Sequence, residues 1–383
     1  MKIGILGSGT MGISIAHFTA KNNCPTVVYD NSKENIKSSK KNLFKLLDKL
    51  NDKGKYTKED IKKIKKNLTF STDIKGLKSS ELIIEAIIEN LDLKKDIFSK
   101  IEKLVDEKCI ISSNTSSLSI TALASSLEKS ERFIGLHFFN PANLMPLVEI
   151  IPAIQTKKII TEKCKKFLEK LGKVVVLAKD TPGFIVNRVA RPFYGEAIRI
   201  YEEGIASIET IDWAMKELGG FRMGPFELMD FIGNDVNYKV TETVFEQFYF
   251  DPRYKPSFSQ KKLMEAGYFG RKSGKGFYDY NSKNQPEVSK NRELGKTIVI
   301  RILSMLINEA ADALYLNIAS KEDIDLAMTK GVNYPKGLLF WADEIGIENI
   351  YKTLESLKDT YNEDRYRPSS IFKTMLNSNK RFY

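Results

Sequence analysis

The chain has 383 residues, of which 42% are hydrophobic and 28% charged, and its formal net charge is +11. This composition is typical of a globular protein with two or three domains. No apolar stretch approaches the roughly 20 residues that cross a bilayer, and the N-terminus lacks the features of a secretory signal peptide. We therefore expect a cytoplasmic protein with no membrane span.

The charge is uneven, because residues 31–67 hold thirteen lysines against five acidic residues. Neither an arginine-rich tract nor interleaved stacking aromatics accompany them, so we expect no nucleic-acid partner. A solvated helix face and a site for a phosphate-bearing ligand both remain open. The cysteines, Cys24, Cys109 and Cys164, form no C-x-x-C pair, so neither a disulfide framework nor a metal site is expected.

The first 180 residues alternate short β-branched segments with longer helical segments. The candidate strands are KIGIL, TVVYD, LTF, ELIIEAI, KCIISS, RFIGLHFF, LVEII and KVVVLA. Strands that alternate with helices predict βαβ units and a mainly parallel sheet covered on both faces.

The first strand leads into "GSGTMG", which places Gly7, Gly9 and Gly12 in G-x-G-x-x-G spacing at the start of a helix, and the second strand ends at Asp30. This pattern predicts a tight turn at Gly7, close approach of a pyrophosphate at Gly9 and close helix packing at Gly12. The free N–H groups of the helix N-terminus suit a diphosphate. A carboxylate at Asp30 can bind a ribose diol and repels a 2′-phosphate, which favours NAD over NADP.

We therefore predict an α/β Rossmann-type domain over residues 1–180. Its expected cofactor is NAD, and the residues expected to contact it are Gly7, Gly9, Thr10, Met11, Gly12 and Asp30.

The stretch "IGLHFFNPANLMPLVEI" contains one of only two histidines, His137, with Glu149 twelve positions later. A strand, a short loop and a returning strand could place these side chains side by side. A carboxylate in that position fixes the imidazole tautomer and stabilises the imidazolium. Spacing alone equally permits a core histidine and an unrelated strand carboxylate. For the other histidine, His17, on the helix after the glycine motif, we predict a surface or half-buried position and no catalytic role.

From "KDTPGF" onward the pattern is mostly helical. Asp180 or Thr181 is expected to cap the first helix, and Pro192 is expected to kink it near its middle.

This helical half contains a repeat, because residues 204–233 align without gaps on residues 317–346. Two copies are too few for a solenoid, so they predict a duplicated helical domain. We place the copies at residues 181–285 and 286–383.

Six motifs occur in the order and spacing of L-3-hydroxyacyl-CoA dehydrogenases: "GSGTMG", "EAIIENLDLKKDIF", "SSNTSSLSI", "GLHFFNPANLMPLVEII", "DTPGFIVNR" and "GRKSGKGFYDY". The chain resembles the longer family members, with an α/β Rossmann-type domain followed by two all-α C-terminal-type repeats. The resemblance implies reversible NAD-dependent oxidation of (S)-3-hydroxyacyl-CoA, short-chain such as 3-hydroxybutyryl-CoA, in fatty-acid metabolism such as β-oxidation.

The resemblance also implies roles for individual residues at the reaction centre. It makes His137 the catalytic base and Glu149 its carboxylate partner, and it implies substrate contacts for Ser116 and Asn187. Without it, Ser116 would be read as a helix cap and Asn187 as an unremarkable helix residue. The second repeat has Ile300 where the first has Asn187, which indicates a structural duplicate.

Further contacts follow from the same motifs. Cofactor contacts are implied for Glu89, Lys94 and Lys272, each with a surface ion pair as the alternative. Substrate contacts are implied for Asn140, in the loop after His137, and for the lysine-rich hairpin, where coenzyme A would meet Lys53 or Lys55.

The expected partner is thus an acyl-CoA thioester, and the chain is either a monomer with pseudo-dimeric helical repeats or a homodimer. Two other functions remain open. One is a related dehydrogenase of a sugar acid such as L-gulonate, and the other is a non-enzymatic NAD-binding or structural descendant.

Overall fold

The computed structural model describes residues 1–282 and 287–383. The chain forms two compact units, Met1–Thr181 and Pro182–Tyr383. The boundary expected between residues 285 and 286 lies outside the described residues. Across the described ranges, no helix is both long and apolar enough to cross a membrane. The three cysteines are buried free thiols.

The first unit is built on one eight-stranded sheet, and each predicted strand is confirmed. Across the sheet the strand order is β3-β2-β1-β4-β5-β6-β7-β8. The strands are β1 (Ile3–Leu6), β2 (Thr26–Tyr29), β3 (Leu68–Ser71), β4 (Leu82–Glu85), β5 (Ile110–Ser113), β6 (Phe133–Phe138), β7 (Leu147–Pro152) and β8 (Val174–Leu177).

One strand pair departs from the parallel arrangement. Strands β1 to β6 pair in parallel, whereas β7 pairs antiparallel with β6 and parallel with β8. The β6–β7 register sets His137 directly opposite Glu149. Residues directly opposite in an antiparallel pair have adjacent side chains on one face.

Helices connect these strands. They are α1 (Thr10–Lys21), α2 (Lys33–Asp52), α3 (Lys58–Lys66), α4 (Leu91–Leu104), α5 (Ile120–Ala124) and α6 (Lys158–Lys170). Side-chain caps start several of them: the Ser32 hydroxyl caps α2, and Thr57 and Asp60 form a capping box at α3. These caps accept backbone N–H groups that have no partner within the helix.

The prediction for Asp180 is wrong. Its carboxylate accepts hydrogen bonds from the Ser119 hydroxyl and from the backbone N–H groups of Ile120 and Thr121. It therefore supports the start of α5, about 60 residues earlier in the chain. A capping pattern read locally cannot show a partner so distant in sequence.

The second unit is helical. Its helices are α7 (Val186–Val189), α8 (Arg191–Glu202), α9 (Ile208–Trp213), α10 (Pro225–Ile232), α11 (Asn234–Gln247), α12 (Phe258–Glu265), α13 (Arg292–Tyr315), α14 (Lys321–Gly331), α15 (Leu338–Ile345), α16 (Ile347–Tyr361) and α17 (Ser370–Asn377).

The helix interruption predicted at Pro192 is present, but as a break between two helices and not as a kink near the middle of one. The chain forms two helices, α7 and α8, which are separated at Ala190, and Pro192 lies in the first turn of α8. In the first turn the missing proline N–H costs no intrahelical hydrogen bond.

The two halves of the second unit repeat one cap. Asp212 accepts the backbone N–H groups of Phe226 and Glu227 at the start of α10. Asp325, 113 positions later, accepts those of Leu339 and Phe340 at the start of α15. The two aligned aspartates therefore cap equivalent helices in the two halves.

Ion pairs join the halves reciprocally. Arg188 donates from Nε to Glu309 over 2.5 Å, and its aligned counterpart Arg301 donates from Nε to Glu196 over 2.7 Å. Glu196 and Glu309 are themselves 113 positions apart. Each half thus supplies the arginine for the glutamate of the other, which is the pattern of a two-fold symmetric interface.

These pairs are buried, and each carboxylate also accepts a tyrosine hydroxyl. Tyr254 donates to Glu309 over 2.5 Å, and Tyr366 donates to Glu196 over 2.7 Å. Burial alone would raise the pKa of Glu309, but the guanidinium groups of Arg188 and Arg253 outweigh it and hold the pKa below its ordinary value. Glu309 is therefore an ionised carboxylate inside the unit.

We predict that Glu309→Gln destabilises the protein strongly, because it removes the nearest counter-charge of the buried Arg188 and one of the two carboxylates that contact Arg253. Removing one partner of a buried ion pair typically costs about 3–5 kcal/mol. The measurement is the urea midpoint of the unfolding transition. Glu293→Gln, which breaks an exposed pair with Lys296, is the matched control and should leave the midpoint unchanged. Equal midpoints for both variants would contradict this account.

Candidate functional site

The glycine motif forms an open cradle at the start of α1. Gly7 has a φ of +98°, and a Cβ there would lie 2.7 Å from the carbonyl oxygen of Ala86. A Cβ at Gly12 would lie 2.0 Å from the carbonyl oxygen of Gly7, whereas one at Gly9 would meet no atom within 4 Å. Gly7 and Gly12 are thus required by packing. Gly9 leaves free the space that a pyrophosphate would fill, so the cradle fits a dinucleotide.

Two further residues of the motif begin the helix. Thr10 and Met11 are the first residues of α1, where Thr10 is exposed and Met11 packs partly against the sheet core.

Asp30, at the end of β2, is held beside this cradle. One carboxylate oxygen accepts the Ser8 backbone N–H and hydroxyl at 2.9 and 2.8 Å, and the other accepts the Ser32 backbone N–H at 3.0 Å. Partial burial alone would raise the pKa of Asp30, but the hydrogen bonds from Ser8, Ser32 and Asn35 outweigh it and lower the pKa. The group is therefore a fixed negative charge at neutral pH.

The histidine and the glutamate that were predicted as a possible pair are in contact. Nδ1 of His137 lies 2.6 Å from Oε2 of Glu149. His137 is 6% exposed and Glu149 is fully buried. The Phe139 ring packs against the imidazole, with centroids 4.6 Å apart. A carboxylate on Nδ1 orients the ring so that Nε2 can exchange a proton, which is the arrangement of an oriented general base.

A buried cation lies after β4. Lys94 Nζ is 2.6 Å from Oε1 of Glu85 and 3.1 Å from Oε2 of Glu89, and the Lys94 side chain is 1% exposed. The alternative interpretation of Lys94 as part of a surface ion pair is therefore wrong. Burial is the larger influence on Glu85 and raises its pKa, although Lys94 acts in the opposite direction.

Glu89 connects this cation to the "SSNTSS" segment. It accepts hydrogen bonds from the Thr115 hydroxyl, from the Ser116 backbone N–H at 3.2 Å and from the Ser117 hydroxyl at 3.0 Å. Burial alone would raise the pKa of Glu89, but Lys94 and the hydroxyl donors hold it below its ordinary value. Ser116 is half-buried, and its backbone is fixed by an ionised carboxylate.

The loop after β6 carries Asn140, which is exposed and precedes a cis peptide bond to Pro141. The backbone N–H of Phe138 donates to Oδ1 of Asn114 over 2.8 Å. The ends of β5 and β6 are therefore tied together next to His137.

Four predicted site residues remain, two in the first unit and two in the second. Lys53 and Lys55 are exposed in the turn between α2 and α3. Asn187 lies on α7 of the second unit. Lys272, also in the second unit, forms an ion pair of 2.6 Å with Asp235 and is 48% exposed, so the surface pair considered for it is present.

The second histidine, His17, is fully buried, so the surface or half-buried position predicted for it is wrong. It is 1% exposed, and its Nε2 lies 3.1 Å from the Tyr56 hydroxyl. Burial, with a smaller effect of Lys21, lowers its pKa to about 4. A neutral His17 therefore joins α1 to the start of α3.

Three polar residues around the site were not predicted from the sequence: Ser14, Glu85 and Lys173. Glu85 could have been noticed as the one charge inside the apolar strand segment "LIIEAI". Ser14 and Lys173 carry no local signal, because their partners lie more than 25 residues away.

Two models of known families match the chain. Residues 2–181 match the 3-hydroxyacyl-CoA dehydrogenase NAD binding domain, and residues 183–280 and 298–381 match the 3-hydroxyacyl-CoA dehydrogenase C-terminal domain.

Similar proteins have related names. A 3-hydroxyadipyl-CoA dehydrogenase from Escherichia coli K12 is 34% identical over 97% of this chain and 96% of its own length. The human mitochondrial hydroxyacyl-coenzyme A dehydrogenase is 40% identical over 73% of this chain and 90% of its own. The crystal structure of 3-hydroxybutyryl-CoA dehydrogenase from Escherichia coli K12 superposes with a TM-score of 0.94 at 33% identity, covering 99% of both chains.

We predict that Asp30→Asn narrows the preference for NADH over NADPH by at least about tenfold, because it removes the negative charge that would repel a 2′-phosphate. The measurement is kcat/KM for each reduced cofactor with one acyl substrate. Glu34→Gln, an exposed change on the first turn of α2, is the control and should leave the ratio unchanged. An unaltered ratio in Asp30→Asn would contradict the assignment.

Proposed function

The chain belongs to the 3-hydroxyacyl-CoA dehydrogenase family, and on that premise we propose that it acts on short-chain (S)-3-hydroxyacyl-CoA thioesters such as 3-hydroxybutyryl-CoA. The reaction is the reversible, NAD-dependent oxidation to the 3-ketoacyl-CoA. The contact of 2.6 Å between His137 and Glu149 carries this proposal, since it presents an oriented base in the unit that has the dinucleotide cradle.

His137 and Glu149 have different roles in acid–base catalysis. His137 takes the proton of the substrate's 3-hydroxyl group at Nε2, while Glu149 keeps Nδ1–H engaged and stabilises the imidazolium. NAD, which the Gly9 cradle and Asp30 would hold, would supply the acceptor for the hydride that leaves C3. In the reverse direction His137 returns the proton to the forming hydroxyl.

Other residues bind and orient the cofactor. The Gly9 cradle and Asp30 hold the diphosphate and the adenosine ribose of the cofactor. Glu89 and Lys94 are proposed to contact its nicotinamide side, and Lys272 is proposed as a further cofactor contact. These roles rest on the family resemblance together with the observed contact of Glu89 with Lys94 and Ser116.

For the substrate we propose contacts with Ser116, Asn140 and Asn187. The exposed Lys53 and Lys55 are proposed to meet the phosphates of coenzyme A, which explains the concentration of lysines between residues 31 and 67. A thioester carrying phosphates suits such a cationic surface. The proposed location of the enzyme is the cytoplasm.

We predict that His137→Gln lowers kcat by at least about 100-fold, because it removes the proton acceptor but keeps a polar side chain of similar size. Binding of NADH should stay within twofold, since no cofactor contact is changed. The measurements are steady-state rates with acetoacetyl-CoA and NADH, and NADH titration by fluorescence.

Matched variants and substrates complete this test. Glu149→Gln should also lose turnover, whereas Glu128→Gln, an exposed carboxylate, should behave as the unaltered protein. Rates with 3-ketoadipyl-CoA and longer 3-ketoacyl-CoAs show which acyl chain the enzyme prefers. Near-normal turnover in His137→Gln would overturn the base assignment. Activity on L-gulonate with none on thioesters would overturn the proposed substrate class.

We further propose that the protein is a monomer in which the second helical copy takes the place of a partner subunit. The reciprocal pairs Arg188–Glu309 and Arg301–Glu196 support this, because they complete a two-fold pattern within one chain.

Light scattering at micromolar concentration should therefore give the mass of a single chain. Removing residues 286–383 should expose apolar surface, detected by dye binding, or produce a dimer. A homodimer of the full chain, or a truncated chain that does neither, would contradict the proposal.

A further inference from the structure

The loop between β6 and β7, residues 139–146, links the strands that carry His137 and Glu149. It follows Phe138, the neighbour of His137, and leads into the strand of Glu149. It is folded on itself, since the backbone N–H groups of Leu144 and Met145 both donate to the carbonyl oxygen of Pro141 at 2.9 Å. Asn140 lies near its start.

A buried lysine is hydrogen-bonded to the backbone of this loop. Lys173, just before β8, donates from Nζ to the carbonyl oxygens of Ala142 at 2.5 Å and Met145 at 2.6 Å. The same ammonium lies 4.2 Å from the centroid of the Phe18 ring. Lys173 is 7% exposed, and within the described part of the chain no carboxylate pairs with it inside 4 Å.

An ammonium in such a place is expensive, because desolvation of a charge is only partly offset by carbonyl oxygens and an aromatic face. Burial lowers the pKa of Lys173 to about 8. A methionine could fill the same space without desolvating a charge. Packing alone therefore does not account for the charge, whereas its two hydrogen bonds to the loop do.

The loop has a second anchor on the cofactor helix. The backbone N–H of Ala142 donates to the Ser14 hydroxyl over 2.7 Å. Ser14 and Phe18 are one turn apart on α1, so the same helix face holds the loop and supports the ammonium. Ala142 is thus fixed through its N–H by Ser14 and through its carbonyl by Lys173. The helix that carries Ser14 begins at the Gly9 cradle.

We propose that Lys173 and Ser14 are positioning residues for the reaction: they fix the 139–146 loop to α1, so that Asn140 and the β6–β7 strand ends are held in register with the cofactor cradle. This inference rests on the proposed function. Its physical basis is that misplacement of a substrate-contacting group by about 1 Å can lower a rate by up to about 100-fold.

The test compares Lys173→Met and Ser14→Ala with the unaltered protein, using acetoacetyl-CoA and NADH. Both variants should lower kcat/KM for the thioester by at least about tenfold, while NADH affinity stays within twofold. Ser14→Thr, which keeps the hydroxyl, should restore activity. Lys170→Met, an exposed lysine three positions before Lys173, is the matched control and should match the unaltered protein.

Combination with Asn140→Ala distinguishes positioning from a general loss of structure. If Lys173 acts through the loop, Lys173→Met should add little to the loss already caused by Asn140→Ala, because coupled residues are not additive. Multiplying losses, or Lys173→Met and Ser14→Ala variants as active as Lys170→Met, would overturn the inference and leave the proposed function intact. If Lys173→Met fails to fold, the Ser14 pair of variants decides. An unaltered protein without thioester activity would overturn the proposed function and this inference together.

Discussion

The antiparallel pairing of β7 with β6 is the constraint on which the site depends. In a sheet whose first six strands are parallel, this reversal sets Glu149 opposite His137 and brings their side chains within 2.6 Å. A slip of one residue would turn Glu149 to the other face of the sheet. The apolar, fully buried neighbours Leu136 and Ile150 oppose each other in the same register, so core packing and the His137–Glu149 contact are specified together.

Helix α1 connects the two ends of this site. Its N-terminus is the glycine cradle. The backbone packed against Gly7 and Gly12 leaves no space there for a side chain. One face further along carries Ser14 and Phe18, which meet the loop that follows His137 and the lysine beneath it. A rigid helix thus relates the position of the glycine cradle to that of the 139–146 loop.

In the second unit, the two helical copies neutralise each other's buried charges. Each copy contains a buried arginine and a buried glutamate, and each finds its counter-ion in the other copy. A single copy would leave both groups without their strongest partners, which is costly in a low-dielectric interior. The position of Asn187 is occupied by Ile300 in the second copy, which therefore lacks the amide that we propose to contact the substrate.

The sequence by itself determined the elements with local signals: all eight strands, the glycine motif with Asp30, and a repeat at an offset of 113 residues. Spacing alone permitted a contact between His137 and Glu149 but did not require it, because strand periodicity does not specify which strands pair; the family resemblance implied the pairing. Tertiary structure decided the contacts between distant segments. It buried Lys94 against Glu85, placed the Asp180 carboxylate at the start of α5 and placed the Lys173 ammonium against the 139–146 loop. Such contacts depend on how separate segments pack in space, whereas sequence periodicity reports only the geometry of one segment.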